Sequence, residues 1–163
     1  MMYVLMMMIL AAVQGVSYEF EPGADFAGYK TYAWVKADAI PLATARPQMP
    51  IEETDRLLRA AIDKQLAGKG LRKASADQAD LLVAYQGVVR AQVEVDDQPY
   101  SQSGNFKAAV VRRGTLTVDL VERSSRRLLW RASVTESAVG ETDNTQAVVD
   151  EMVERVMSAY PPQ

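Results

Sequence analysis

"GTLTVDLVERSSRRLLWRASV", residues 114–134, carries two runs of alternating hydrophobicity around a charged centre, and its pairing decides the fold. Leu116, Val118 and Leu120 fall on one face of the first run, and Leu128, Trp130 and Ala132 on one face of the second, which is the period of half-buried strands. Setting Leu120 opposite Leu128, Val118 opposite Trp130 and Leu116 opposite Ala132 keeps both apolar faces on one side. That register places Glu122 opposite Arg126 across a three-residue loop, Arg123-Ser124-Ser125. A two-residue loop would set Val118 against Arg131 and mix core with solvent.

Upstream, "DLLVAYQGVVRAQVEV" (80–95) shows the same period, with Leu81, Val83, Tyr85, Gly87, Val89, Ala91, Val93 and Val95 on one face. It reads as one long or bulged strand bending at Gly87. "DDQPYSQSGN" (96–105) follows as a flexible loop. The spacing changes over Ile51–Ala67, where Leu58, Ile62 and Leu66 recur every four residues beside Ala61, with Gly68 and Gly70 as the stop. That is an amphipathic helix. Asn144–Tyr160 repeats the helical pattern through Val148, Val149, Met152, Val153, Val156 and Met157, and Pro161-Pro162 ends it. Residues 30–36 alternate around Tyr32 and Trp34 as a first strand, and 37–50, with Pro41, Pro47 and Pro50, form an extended loop. The order is β-α-β-β-β-α: a single α+β domain of mostly antiparallel sheet with two helices packed on it.

The N-terminus differs from the rest. Met1–Val13 is apolar and uncharged, about the length of a signal-peptide core and short of the ~18 residues that span a bilayer. Val13-Gln14-Gly15 offers a small-residue cleavage site after Gly15. We therefore divide the chain into an export segment, 1–15, and one domain, 16–163. The first basic residue is Lys30, so the positive start of an ordinary signal is missing.

With 163 residues and 48% hydrophobic content, one domain with a real core is expected. A net charge of −3 gives no overall reason to bind nucleic acid. Cysteine and histidine are absent, which removes thiolate chemistry, disulfides and the usual neutral-pH base. No S-x-x-K pair, G-x-S-x-G elbow or glycine-rich phosphate loop occurs. The composition points away from an enzyme and implies no cofactor.

The segments "DFAGYKTYAW", "ADLLVAY", "GTLTVDLVERSSRRLLWRA" and "SAYPP" resemble the recurring blocks of the bacterial envelope family called domain of unknown function 4136. The resemblance spans nearly all of residues 25–162. It implies an exported protein, often a lipoprotein, that is periplasmic or membrane-associated, with no activity or catalytic residues to carry over. Two departures stand out: no cysteine follows the leader to carry a lipid, and Ala132 stands where the family has glycine after the Trp-Arg pair.

Three groups are candidate sites. Tyr29, Tyr32 and Trp34 would offer stacking faces to a sugar or peptide, but one strand carrying them is better explained as core, with Tyr29 or Phe26 closing the sheet's end. Glu94, Asp96 and Asp97 beside the 96–105 loop are the candidates for a small ligand or a divalent cation, or for carboxylate-based catalysis, without calcium-loop spacing. Arg112, Arg113, Arg123, Arg126, Arg127 and Arg131 stand against only Asp119 and Glu122 within residues 112–131. Such a cluster suits an anionic membrane surface or an acidic envelope protein. Its plainer explanation is an outward sheet face on which Arg127 and Arg131 flank Asp119.

Overall fold

A computed structural model describes residues 11–13, 15–35, 43–44, 51–95, 108–139 and 145–162. Its strands are β1 (Ala11–Val13), β2 (Val16–Phe20), β3 (Thr31–Trp34), β4 (Ala43–Thr44), β5 (Arg72–Lys73), β6 (Leu81–Val95), β7 (Ala108–Glu122) and β8 (Leu128–Val139). Helix α1 (Ile51–Gly68) lies between β4 and β5, and α2 (Thr145–Met157) follows β8. The strands form one sheet in the order β1-β2-β8-β7-β6-β3-β5, with β4 on β6. β3 runs parallel to β5 and β6, and the hairpins joining β6, β7 and β8 are antiparallel. The expected β-α-β-β-β-α series is the sequence β3-α1-β6-β7-β8-α2, so the α+β class stands. The short strands β1, β2, β4 and β5 are additions to it.

One face of the sheet carries the core. Leu81, Val83, Tyr85, Leu116, Val118, Leu120, Trp130, Ala132 and Val134 lie against Leu58, Ile62 and Leu66 of α1 and Val149, Val153, Val156 and Met157 of α2. Helix α1 ends as its glycine predicts. Gly70 takes φ +85°, its N–H donates to Ala67 O at 3.0 Å, and the Leu71 N–H donates to Leu66 O at 3.0 Å. These two bonds satisfy carbonyls that the helix end would otherwise leave open. Leu71 then turns back into the core. A smaller apolar cluster, Ala33, Ala79 and Leu82, sits apart from it.

The structure corrects the expected register of the β7–β8 hairpin. The observed β7–β8 register sets Leu120 opposite Trp130, Val118 opposite Ala132 and Leu116 opposite Val134, two residues away from the expected pairing. Two one-residue changes add up to this difference, a turn one residue longer than expected and a β-bulge in which Val121 pairs with Leu128 and Leu129 is an extra residue on β8. Alternation would bury only one of Leu129 and Trp130, whereas with the bulge both are 0% exposed. In the longer turn, Glu122 N–H donates to Arg127 O at 2.8 Å and Arg126 N–H to Glu122 O at 2.9 Å. Strand β6 is the long strand expected over these residues, without a bulge at Gly87. The β6–β7 register runs without a shift from Leu81–Glu122 to Val95–Ala108, and Gly87 simply pairs with Leu116.

The aromatic question resolves on the structural side. Tyr32 is 2% exposed, and Trp34 is partly buried against the same core. Tyr29 and Phe26 close the end of that core: Phe26 meets Tyr160 edge-on at 5.8 Å and Tyr29 at 6.5 Å, and Tyr160 meets Trp130 at 5.5 Å. Burial among these rings pushes the Tyr160 hydroxyl pKa up to about 12.

Candidate interaction surface at one end of the sheet

The β7–β8 turn, the loop before β3, the start of β5 and the loop before β6 meet at one end of the sheet. Asp80 organises them. Its carboxylate accepts the backbone N–H groups of Lys30 and Thr31 and the Thr31 hydroxyl, each at 2.9 Å. Those bonds, the one from Lys30 foremost, hold its pKa below the ordinary carboxylate range. The Asp80 backbone is tied in turn to the hairpin, because the Arg123 N–H donates to Asp80 O at 3.0 Å. Arg123 Nε also donates to Ala79 O at 2.7 Å.

The turn therefore has a fixed base and an exposed tip. Glu122 accepts the Tyr29 hydroxyl at 2.9 Å and the Ser125 hydroxyl, bonds that lower its pKa, the Ser125 bond first. Arg126 is exposed and holds φ +59°, a left-handed conformation that is unusual for a side chain with a Cβ. Arg127 is exposed beside it and reaches Glu21 at 3.3 Å.

The six candidate arginines do not form one patch. Arg123, Arg126 and Arg127 gather at this turn. Arg113 is exposed on β7, nine residues before the strand's end, a separation of about 30 Å at ~3.3 Å per residue. Arg112 lies beside it on the backbone, pairing with Ala138 of β8 and Ala91 of β6. Arg131 sits on the sheet's polar face, where Nε and an Nη each donate to Asp119 at 2.7 Å, with Glu19 at 3.9 Å. That fork engages Arg131 with Asp119 on the sheet, away from the turn. Glu94 is a strand residue of β6 paired with Ala109, and Asp96 and Asp97 lie outside the described residues, as does the 96–105 loop. Among the described residues no three acidic groups are placed to hold a metal ion.

Cations that the sequence pattern did not group with the turn add to this end. Lys30 and Arg72 are both exposed, and Thr31 pairs with Arg72 across the parallel β3–β5 contact. Arg127, Arg126, Lys30 and Arg72 thus follow the rim from β8 to β5. Carboxylates share the rim: Asp25 and Asp77 are exposed too, so its charge is mixed. No spacing signal marks Lys30 and Arg72 as neighbours, because a parallel crossover brings them together.

A second constellation lies where α1 crosses β3 and β6. Asp63 accepts the Tyr32 hydroxyl at 2.7 Å, the Trp34 indole N–H at 2.9 Å and Lys73 Nζ at 3.0 Å. Asp55, eight residues earlier on the same helix face, accepts the Tyr85 hydroxyl and Arg59 Nε. Arg59 lies 4.8 Å over the Trp34 ring. Burial, then the carboxylate bond, raises the pKa values of Tyr32 and Tyr85 above the usual tyrosine range. Each polar tip of a core aromatic here has a partner on α1, which is what a structural network requires. The sequence signal was available: Asp55 and Asp63 flank the Leu58-Ile62-Leu66 stripe.

No match was found among curated proteins. Among solved structures, a DUF4136 family protein from Bacteroides thetaiotaomicron superposes with a TM-score of 0.60 at 14% identity, covering 90% of this chain and 95% of that one. A PDZ domain protein from Parabacteroides distasonis gives a TM-score of 0.60 at 14% identity, covering 91% of this chain and 36% of that one, so this chain spans about a third of it. The PelC dodecamer from Paraburkholderia phytofirmans gives 0.52 at 17% identity, covering 88% and 94%. At these identities the likeness is one of fold. Residues 16–162 match the family profile described as domain of unknown function (DUF4136), and the chain belongs to that family.

Proposed function

We propose that this chain is a non-enzymatic protein of a bacterial envelope, exported by residues 1–15, whose working surface is the β7–β8 turn carrying Arg123, Arg126 and Arg127. The observation that supports it is the turn itself: a base pinned through Asp80 and Arg123 presents Arg126 and Arg127 to solvent at a defined position. Such a rim suits an anionic membrane surface or an acidic envelope protein, each basic residue contributing about 1 kcal/mol near an anionic surface. The family match beginning at Val16, directly after the apolar leader, supports the division at residue 15. The envelope assignment draws on the family resemblance. In the fold, Ala11–Val13 pairs with β2, so the leader's end touches the domain it precedes.

The test is co-isolation from envelope extract of the wild type and a variant with Arg126 and Arg127 both changed to glutamine, Arg123 being kept because its side chain holds the base of the turn. Wild-type recovery with envelope material that falls in the variant, at unchanged thermal stability, supports the proposal. Equal recovery excludes the turn as the contact.

A further inference from the structure

The outer edge of β2 has an occupant that belongs to the segment proposed to leave. Ala11, Ala12 and Val13 pair with Tyr18, Ser17 and Val16, and among the described residues they are the sheet's last strand on that side. The family match starts at Val16, so the domain proper has β2 as its edge. That edge carries one of the usual protections, the charge of Glu19, and lacks the others. Val16–Phe20 contains no lysine, no proline and no bulge, and its aromatics Tyr18 and Phe20, stacked at 6.4 Å, are only partly buried.

We infer that, once residues 1–15 are removed, a second copy of this chain takes the place of β1 by antiparallel pairing of β2 with β2 about a two-fold axis. This rests on the leader assignment made above. The register follows from the backbone. Glu21 N–H donates to Leu129 O across the β2–β8 contact, so the odd residues of β2 turn their amides toward β8 and the even ones toward the open edge. A symmetric pairing that uses the even residues and keeps the apolar face continuous centres on Tyr18. Tyr18 then meets its own copy, Val16 meets Phe20 of the second copy, and Ser17 meets Glu19 of the second copy on the polar face. Every member of the apolar row gains an apolar neighbour, and the contact is self-complementary. Each carboxylate of Glu19 faces a hydroxyl, with no like charges opposed. The present occupant shows that the edge accepts a short antiparallel strand.

The experiment uses the protein as the cell makes it. The full chain is expressed with its leader, the processed form is purified from the envelope compartment and the unprocessed form from the cytoplasm. Intact mass identifies the first residue and sedimentation velocity gives the assembly. A dimer for the chain beginning at Val16, and a monomer for the unprocessed chain, are expected. Ser17→Lys and Ser17→Glu then test the register, because Ser17 is exposed on the polar face and tolerates either. Two symmetric pairs at ~0.2–1 kcal/mol each make S17K tighten the dimer about tenfold and S17E loosen it by a similar factor. A processed chain starting at Val16 that stays monomeric, or that forms an assembly indifferent to residue 17, overturns the inference while leaving the leader intact. A mature chain that still contains Ala11–Val13 overturns the leader assignment and, with its edge still covered, the inference too.

Discussion

Trp130 and Trp34 occupy equivalent places in the sequence pattern and different places in the molecule. Trp130 is 0% exposed, its indole N–H donating to Ala159 O at 3.3 Å, while Trp34 lies at the margin of the core under Arg59. Trp130→Ala is expected to lose about 3–5 kcal/mol and Trp34→Ala about half as much, measured by urea denaturation. Iodide should quench one of the two tryptophans only, and loss of the quenchable signal in the Trp34→Ala protein identifies which. Asp80 makes the complementary polar prediction. Its folded pKa lies below the ordinary 3.8, so its contribution is complete above that value and disappears as pH falls through the depressed one. Asp80→Ala should therefore cost about 1 kcal/mol at pH 7, the value for hydrogen bonds to a partly solvated carboxylate, and the difference from wild type should shrink below pH 4. A constant difference down to pH 2 would show that the carboxylate's charge is not what orders residues 30 and 31.

At the scale of elements, what was legible followed one-dimensional period. Both helices, the β6–β7–β8 series and their inward faces can be read from the spacing of Leu58-Ile62-Leu66 or Leu116-Val118-Leu120, because burial on one side imposes that spacing. The bulge was hidden for the same reason. In "LLW", 128–130, period two assigns alternate faces, and only the packed structure shows that Leu129 and Trp130 are both covered. Parallel pairing of β3 with β5 and β6 left no local signature, since their partners lie 41 and 49 residues away in the chain, at Arg72 and Leu81. For the candidate surface, the arginine run and Asp119 as a partner within it were visible, but the division of the run was not: the observed register sets Asp119 directly opposite Arg131 and leaves Arg127 at the turn. The turn supplies its own test. Arg126 holds φ +59° where glycine carries no steric cost. Arg126→Gly should raise stability by up to about 1 kcal/mol and Arg126→Val should lower it by a similar amount, read as shifts in the thermal midpoint. Equal effects of the two would mean that the turn relaxes freely.

For the whole molecule, the helices cover one face of the sheet and leave a polar one, on which Thr117 and Ser133 bond at 2.7 Å and Thr115 and Thr135 at 2.9 Å. No described helix is long and apolar enough to cross a membrane. Any membrane contact by this turn would then be made by surface charge at the rim, and surface charge has a diagnostic dependence on salt, its reach shrinking to about 8 Å at 0.15 M. The most direct measurement is sedimentation of the wild type and the Arg126/Arg127→Gln protein with anionic and with neutral vesicles across a salt series. Wild-type binding to anionic vesicles alone, falling with salt and weakened by on the order of 30-fold in the double variant, is the expected result. Equal sedimentation of both proteins with anionic vesicles at every salt concentration would contradict a membrane-binding role for the turn.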